Sequence, residues 1–202
     1  MMPLMASRER EQIVEQWNDT AVGYAAGNRI HTAFERQANR TPAATASVFD
    51  QKEFTYKQIN EDANRLANYL VRKGVRAGDI VGVSIERSAE LTIALLAVLK
   101  AEAAYVPLDH TYPKDRLAQM LNDTQPACVL CTEGTRDRLP NLSTKAVVLD
   151  SEADVIKRES SVLPLVESSG ERLYVLYTSG SSGRPKGVEG THGGALNRFE
   201  WM

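Results

Sequence analysis

The sequence predicts an α/β fold with a largely parallel sheet and flanking helices, and three observations carry that expectation. From Ile80 onward, strand-like apolar runs alternate with helical segments, the pattern of successive βαβ units. The helix expected over Ala89–Ala101 is apolar on nearly all sides, which calls for burial against a sheet. A loop rich in Gly and Ser follows directly on the run Leu173–Tyr177, and such folds bind ligands at the C-terminal ends of their strands.

Taken in order, Ser7 to Trp17 reads as a short helix with Ile13, Val14 and Trp17 on one side. Asn18-Asp19-Thr20 ends it. A second helix over Ile30–Ala38 is stopped by Thr41-Pro42, because the residue before proline is pushed out of the helical region. A hairpin follows, Thr45–Phe49 and Glu53–Thr55, turning at Asp50-Gln51-Lys52. Thr55-Tyr56-Lys57-Gln58 fits a capping box, and the helix it opens places Ile59, Ala63, Leu66 and Leu70 on one stripe before Gly74. Ile80–Ile85 is a strand, and Ser88 caps the apolar helix. Strand Ala104–Val106 leads to a helix begun by Pro113, with Leu117, Met120 and Leu121 inward. Further strands are expected at Ala127–Cys131, Ala146–Leu149 and Leu173–Thr178. Glu152–Ser169 is polar and poorly periodic, so it reads mostly as surface loop.

Composition narrows the class. The chain has 202 residues, 43% of them apolar, which supports a packed core. A net charge of −2 gives no basic footprint for nucleic acid or an anionic membrane. The longest apolar run, Leu91–Leu99, is too short to span a bilayer. The first nine residues lack the order of a signal peptide, so a cytoplasmic location is expected. Cys128 and Cys131 form a lone Cys-x-x-Cys in an apolar run, without the second ligand pair that zinc needs, and read as core. His31, His110 and His192 are scattered without evident partners and read as surface or capping residues.

The run Tyr177-Thr178-Ser179-Gly180-Ser181-Ser182-Gly183-Arg184-Pro185-Lys186-Gly187 carries the chemistry. Glycines let the main chain approach a ligand, and successive backbone N–H groups can converge on an anion. The hydroxyls of Thr178, Ser179, Ser181 and Ser182 add donors, and Lys186 adds a point charge. A Walker loop is excluded: it needs glycine before the lysine and Ser or Thr after it, and here Pro185 and Gly187 occupy those places. A flexible Ser/Gly linker would need neither the preceding strand nor the ordered Gly-Arg-Pro-Lys-Gly.

This run resembles the signature loop of the adenylate-forming superfamily, which includes acyl-CoA synthetases, luciferases and the adenylation domains of nonribosomal peptide synthetases. Phe54-Thr55-Tyr56-Lys57-Gln58-Ile59-Asn60 and Leu99-Lys100-Ala101-Glu102-Ala103-Ala104-Tyr105-Val106-Pro107-Leu108-Asp109 resemble two further motifs of the peptide-synthetase branch. Gly82–Ser88, Tyr112-Pro113-x-x-Arg116-Leu117 and the linker-like Trp17-Asn18-Asp19-Thr20 also fit. Three residues depart from the family pattern: Glu102 stands where glycine is usual, His110 where proline is, and Gly193 where arginine is common. The first two read as drift in the scaffold.

The resemblance implies the N-terminal subdomain of the adenylate-forming, acyl-CoA synthetase/luciferase-like fold. Residues 1–28 would be a linker of condensation–adenylation type, and 29–202 an AMP-binding (adenylation) domain truncated after the phosphate loop. Thr178, Ser179, Gly180, Ser181, Ser182, Gly183 and Lys186 would hold the ATP phosphates, with Mg²⁺ offsetting charge. A carboxylate, here an amino acid, would become an acyl-adenylate with release of pyrophosphate. The acyl group would then pass to the phosphopantetheine of a downstream carrier domain. Family members grip adenine, ribose, metal and acyl group with residues beyond this loop, so the chain is expected to be an incomplete enzyme, inactive alone, with no catalytic or metal-binding residue of its own. Two other readings are a fragment of a standalone acyl-CoA or aryl-acid ligase, and a non-catalytic remnant acting as a binding module.

Overall fold

The computed structural model describes residues 5–20, 28–141, 144–167, 170–178 and 185–202. Near the N-terminus, α1 (Ser7–Val14) buries no side chain. The helix expected to reach Trp17 breaks at Glu15, after which Gln16–Asn18 form a single tight turn. Asn18 supplies the stop, its amide Nδ2 donating to the carbonyls of Ile13 and Val14.

α2 (Ile30–Arg40) precedes the hairpin β1 (Thr45–Phe49) and β2 (Lys52–Thr55). The turn takes two residues, Asp50 and Gln51, at φ 47° and 62°, a pairing of left-handed residues that matches strand twist. The capping box then forms as expected. Thr55 Oγ1 accepts from the Gln58 amide at 3.2 Å, and Gln58 Oε1 accepts from the Thr55 amide at 2.8 Å. α3 (Tyr56–Arg72) runs on to Gly74, whose φ of 101° turns the chain out of the helix.

The remaining elements are β3 (Ile80–Ser84), α4 (Ala89–Lys100), β4 (Ala104–Pro107), α5 (Lys114–Thr124), β5 (Cys128–Cys131), α6 (Glu133–Arg136), β6 (Ala146–Val148), α7 (Ala153–Lys157), β7 (Arg172–Thr178), β8 (Lys186–Thr191) and α8 (His192–Trp201). Among the described residues, one sheet has the order β6-β5-β3-β4-β7-β8. All neighbours pair in parallel except β7 with β8. The fold class read from the sequence is therefore the one observed.

Alternation along the strands divides the core into two faces. Val81, Val83, Cys128, Leu130 and Val147 pack with α3 and α4. Val106, Val129, Cys131, Val148 and Val175 pack with α5 on the other side. The chain moves from β3 to β4 across the first face and from β4 back to β5 across the second, as a uniform crossover hand requires. The ends of β3 and β4 thus form the point where the winding reverses. A cavity of about 590 Å³ opens there, lined by Ile85, Arg87, Tyr105, Pro107, Leu108 and Leu176 among others.

Two segments differ from expectation. Within Glu152–Ser169, α7 is helical, and Asn64 and Asn68 of α3 donate to the carbonyls of Ser160, Ser161 and Val162, tying that stretch to the domain. Lys186–Thr191, not anticipated as a strand, closes the sheet edge as β8. Among the described residues no helix is long and apolar enough to cross a membrane.

Candidate phosphate-binding site

After Arg172, β7 runs apolar or aromatic through Tyr177, with Leu173 and Val175 buried, and ends at the polar Thr178. β8 returns antiparallel with Thr178 opposite Lys186, Tyr177 opposite Gly187 and Tyr174 opposite Gly190. The two ends of the signature loop are therefore register partners. They lie at the C-terminal edge of the parallel strands, where the fold class places its ligands. Thr178 and Lys186 are both exposed. Ser179, Gly180, Ser181, Ser182 and Gly183 lie outside the described residues.

Beside the loop, a cavity of about 450 Å³ is lined by Gln119, Asn122, Asp123, Tyr177 and Pro185. The Tyr177 hydroxyl donates to Asp123 Oδ2 across it. Burial and then the Asp123 carboxylate push the Tyr177 phenol well above its ordinary range, so it is protonated and able to donate. The described ends of the run can offer an anion the Thr178 hydroxyl and the Lys186 ammonium.

The histidines require a correction. His31 and His192 are buried, 3% and 2% exposed, not on the surface. Their rings meet edge to face with centroids 5.7 Å apart. Thr191, not His192, caps α8, its hydroxyl accepting from the Gly194 amide at 3.0 Å. His192 Nδ1 instead accepts from the Ile30 amide at 3.3 Å. Glu102 completes the group, with Oε2 2.5 Å from Arg29 Nη1 and Oε1 3.4 Å from His31 Nε2. Glu102 sits at φ 57°, just past the end of α4, a conformation glycine adopts without steric cost. Its ion pair with Arg29 and its contact with His31 hold the carboxylate in place there. Burial opposes ionisation of Glu102, but the hydrogen bond from His31 and the charge of Arg29 hold its carboxyl below the usual value. Burial, then the charges of Arg29 and His31, push His192 down to about 4. This cluster lies at the far end of the β7–β8 hairpin from Thr178 and Lys186. Its members are remote in sequence, and only the glycine-to-glutamate departure at Glu102 marked the place.

His110 stays partly exposed, 3.9 Å from Glu86. Cys128 and Cys131 point to opposite faces of the sheet, as a spacing of three in a strand dictates, so they cannot share a metal or a bond. Burial raises the Cys128 thiol to about 12. Among the described residues no group of three or more His, Cys, Asp or Glu could hold a metal ion.

Comparison with known proteins gives the same pattern. The family model described as "AMP-binding enzyme" matches residues 34–202. Tyrocidine synthase 2 of Brevibacillus parabrevis is 37% identical over 198 residues, covering 98% of this chain but 5% of that protein. The crystal structure of the nonribosomal peptide synthetase FmoA3 superposes with a TM-score of 0.86 at 32% identity, covering 99% of this chain and 21% of that one. It has also been solved bound to AMPPNP, where the TM-score is 0.83. An artificially fused adenylation–PCP di-domain of Klebsiella oxytoca, NpsA-ThdA, matches at a TM-score of 0.74 and 28% identity, over 82% of this chain and 33% of that one. The chain spans a small part of each relative.

Proposed function

We propose, from the premise that this chain belongs to the AMP-binding enzyme family, that it holds the triphosphate of ATP for an adenylation domain of the peptide-synthetase type. The domain joins an amino-acid carboxylate to ATP, releases pyrophosphate and passes the acyl group to the phosphopantetheine of a carrier domain, in the cytoplasm. The observation that carries this reading is the hairpin that sets Thr178 against Lys186 at the C-terminal edge of the sheet. Lys186 supplies the charge, and Thr178, Ser179, Gly180, Ser181, Ser182 and Gly183 supply the hydroxyl and amide donors. Mg²⁺ would neutralise charge on the triphosphate when bound, although the described residues form no metal cage for it. Residues 1–28 serve as an inter-domain linker, supported by an α1 that buries nothing and a family match that begins at residue 34.

The test is titration calorimetry of MgATP into residues 1–202. Binding is expected, and Lys186→Ala should weaken it at least about tenfold, the loss of a charge-assisted phosphate contact. Equal affinities for both proteins would refute the reading. Carboxylate-dependent exchange of labelled pyrophosphate into ATP is expected to be absent. Its appearance would show that residues 1–202 carry more of the machinery than the phosphate grip.

A further inference from the structure

The described ends of the loop are tied to a residue outside the signature run, Asp123 of α5. Tyr177 directly precedes Thr178, and its register partner Gly187 directly follows Lys186. A methyl group at Gly187 would lie 3.3 Å from Tyr177 Cζ and 3.1 Å from Val175 Cγ1, so glycine there lets the ring lie close against β8. From that position the Tyr177 hydroxyl reaches α5 and donates to Asp123 Oδ2. Asp123 lies in the last turn of a helix whose Leu117, Met120 and Leu121 are buried under the sheet, so its carboxylate is mounted on a packed support. Asp123 Oδ2 is already engaged by the Tyr177 hydroxyl, and a bare carboxylate repels phosphate oxygens. The route from Asp123 to the loop is therefore Tyr177.

We propose that Asp123 is a positioning residue for the phosphate grip: through Tyr177 it sets Thr178 and Lys186 at the height and register in which they meet the triphosphate. This role rests on the phosphate-binding function proposed for the site. An ionised acceptor makes a stronger hydrogen bond than a neutral one, and the rigid ring transmits the restraint to the backbone of β7. Asparagine at 123 still presents an oxygen to the hydroxyl, whereas alanine presents none.

Two measurements on residues 1–202 test this: MgATP affinity by calorimetry, and amide hydrogen exchange resolved by residue. Asp123→Ala and Tyr177→Phe are each expected to weaken MgATP about fivefold, the scale of the net contribution of one ordinary hydrogen bond. The double variant should be no worse than either single one, because both remove the same link. Asp123→Asn should recover most of the affinity. In Asp123→Ala, exchange should quicken at Thr178, Lys186 and Gly187 and stay unchanged in α3 and β3, which a general loss of stability would not spare. Additive effects, failure of Asp123→Asn to rescue, or exchange unchanged at the hairpin would each overturn the proposal. If Lys186→Ala loses affinity while Asp123→Ala and Tyr177→Phe bind as the parent does, only the positioning role fails. If Lys186→Ala also binds as the parent does, the phosphate reading fails and the positioning role with it.

Discussion

His192 should make the fold sensitive to mild acid. Its ring is 2% exposed, accepts a hydrogen bond from the Ile30 amide through Nδ1, and faces the Arg29 guanidinium and His31. Protonation removes the acceptor and adds a cation to a buried site that already holds one. In the native state the group titrates at about 4, against an ordinary value of 6.5. Between those values the unfolded chain binds more protons than the folded one. Stability is therefore complete above the unfolded value and falls as pH drops toward the folded one. Taking each unit as about 1.4 kcal/mol, the loss from about pH 7.5 to about pH 5 is roughly 2 kcal/mol. Glu102 is depressed rather than raised, so its contribution is lost only below the usual carboxylate range, a separate and lower window. The assay is urea unfolding at the two pH values for the parent and for His192→Asn, whose amide oxygen takes the place of Nδ1 as an acceptor for Ile30. The parent should lose roughly 2 kcal/mol more than the variant over this interval. Equal losses would refute the argument, as would a nuclear magnetic resonance titration placing the His192 midpoint near that of a free imidazole.

Two further substitutions test the packing around the site. Gly190 lies opposite Tyr174, and a methyl group there would overlap the Tyr174 ring, which also packs on Tyr105 with centroids 5.9 Å apart. Gly190→Ala should cost about 1–3 kcal/mol by thermal or urea unfolding, and much less in a Tyr174→Ala background. On α4, the Lys100 side chain is 0% exposed and binds the Glu35 carboxylate and Asn60 Oδ1. Burial pushes its ammonium below the ordinary value, against the hydrogen bond and charge of Glu35. Lys100→Met should destabilise by roughly 3 kcal/mol because it strands Glu35, and adding Glu35→Leu should recover much of that loss. A double variant as unstable as the single one would show that the ion pair is not what Lys100 contributes.

What the sequence made legible was what local physics fixes. Thr55 and Gln58 announce α3 because a capping box needs only four residues. The strands β3, β5 and β7 announce themselves as short apolar runs between turn signals. β8 gave no such signal. Lys186-Gly187-Val188-Glu189-Gly190-Thr191 holds two glycines and two charges, and it becomes a strand because β7 supplies its hydrogen bonds. The Arg29, His31, Glu102 and His192 cluster was hidden for a different reason. No spacing links those positions, and they meet only because the sheet order brings the end of α4, the start of α2 and the start of α8 together. The Gly- and Ser-rich run was visible in the composition, but Asp123, which meets Tyr177, lies on α5 with no sequence signal linking the two.

The same hairpin explains why these features belong to one design. At its base, the His192 amide donates to the Glu171 carbonyl at 2.9 Å, Arg29 Nη2 donates to the Gly170 carbonyl at 2.6 Å, and Ile30 donates to His192. At mid-length the Tyr174 ring lies over Gly190, and near the tip the Tyr177 ring lies over Gly187 and reaches Asp123. A slip of β8 by one residue would set Tyr174 against Glu189 or Thr191 and Tyr177 against Lys186 or Val188. It would also turn every side chain to the other face. Tyr174 would then meet a side chain where there is room only for hydrogen, and Tyr177 one where the fit is already tight. The two glycines therefore specify register, and register is what places Lys186 across from Thr178. An edge strand with one neighbour and little burial would otherwise define that pairing weakly. If the proposed function holds, the grip on the triphosphate would depend on two tyrosines whose register partners have no side chain.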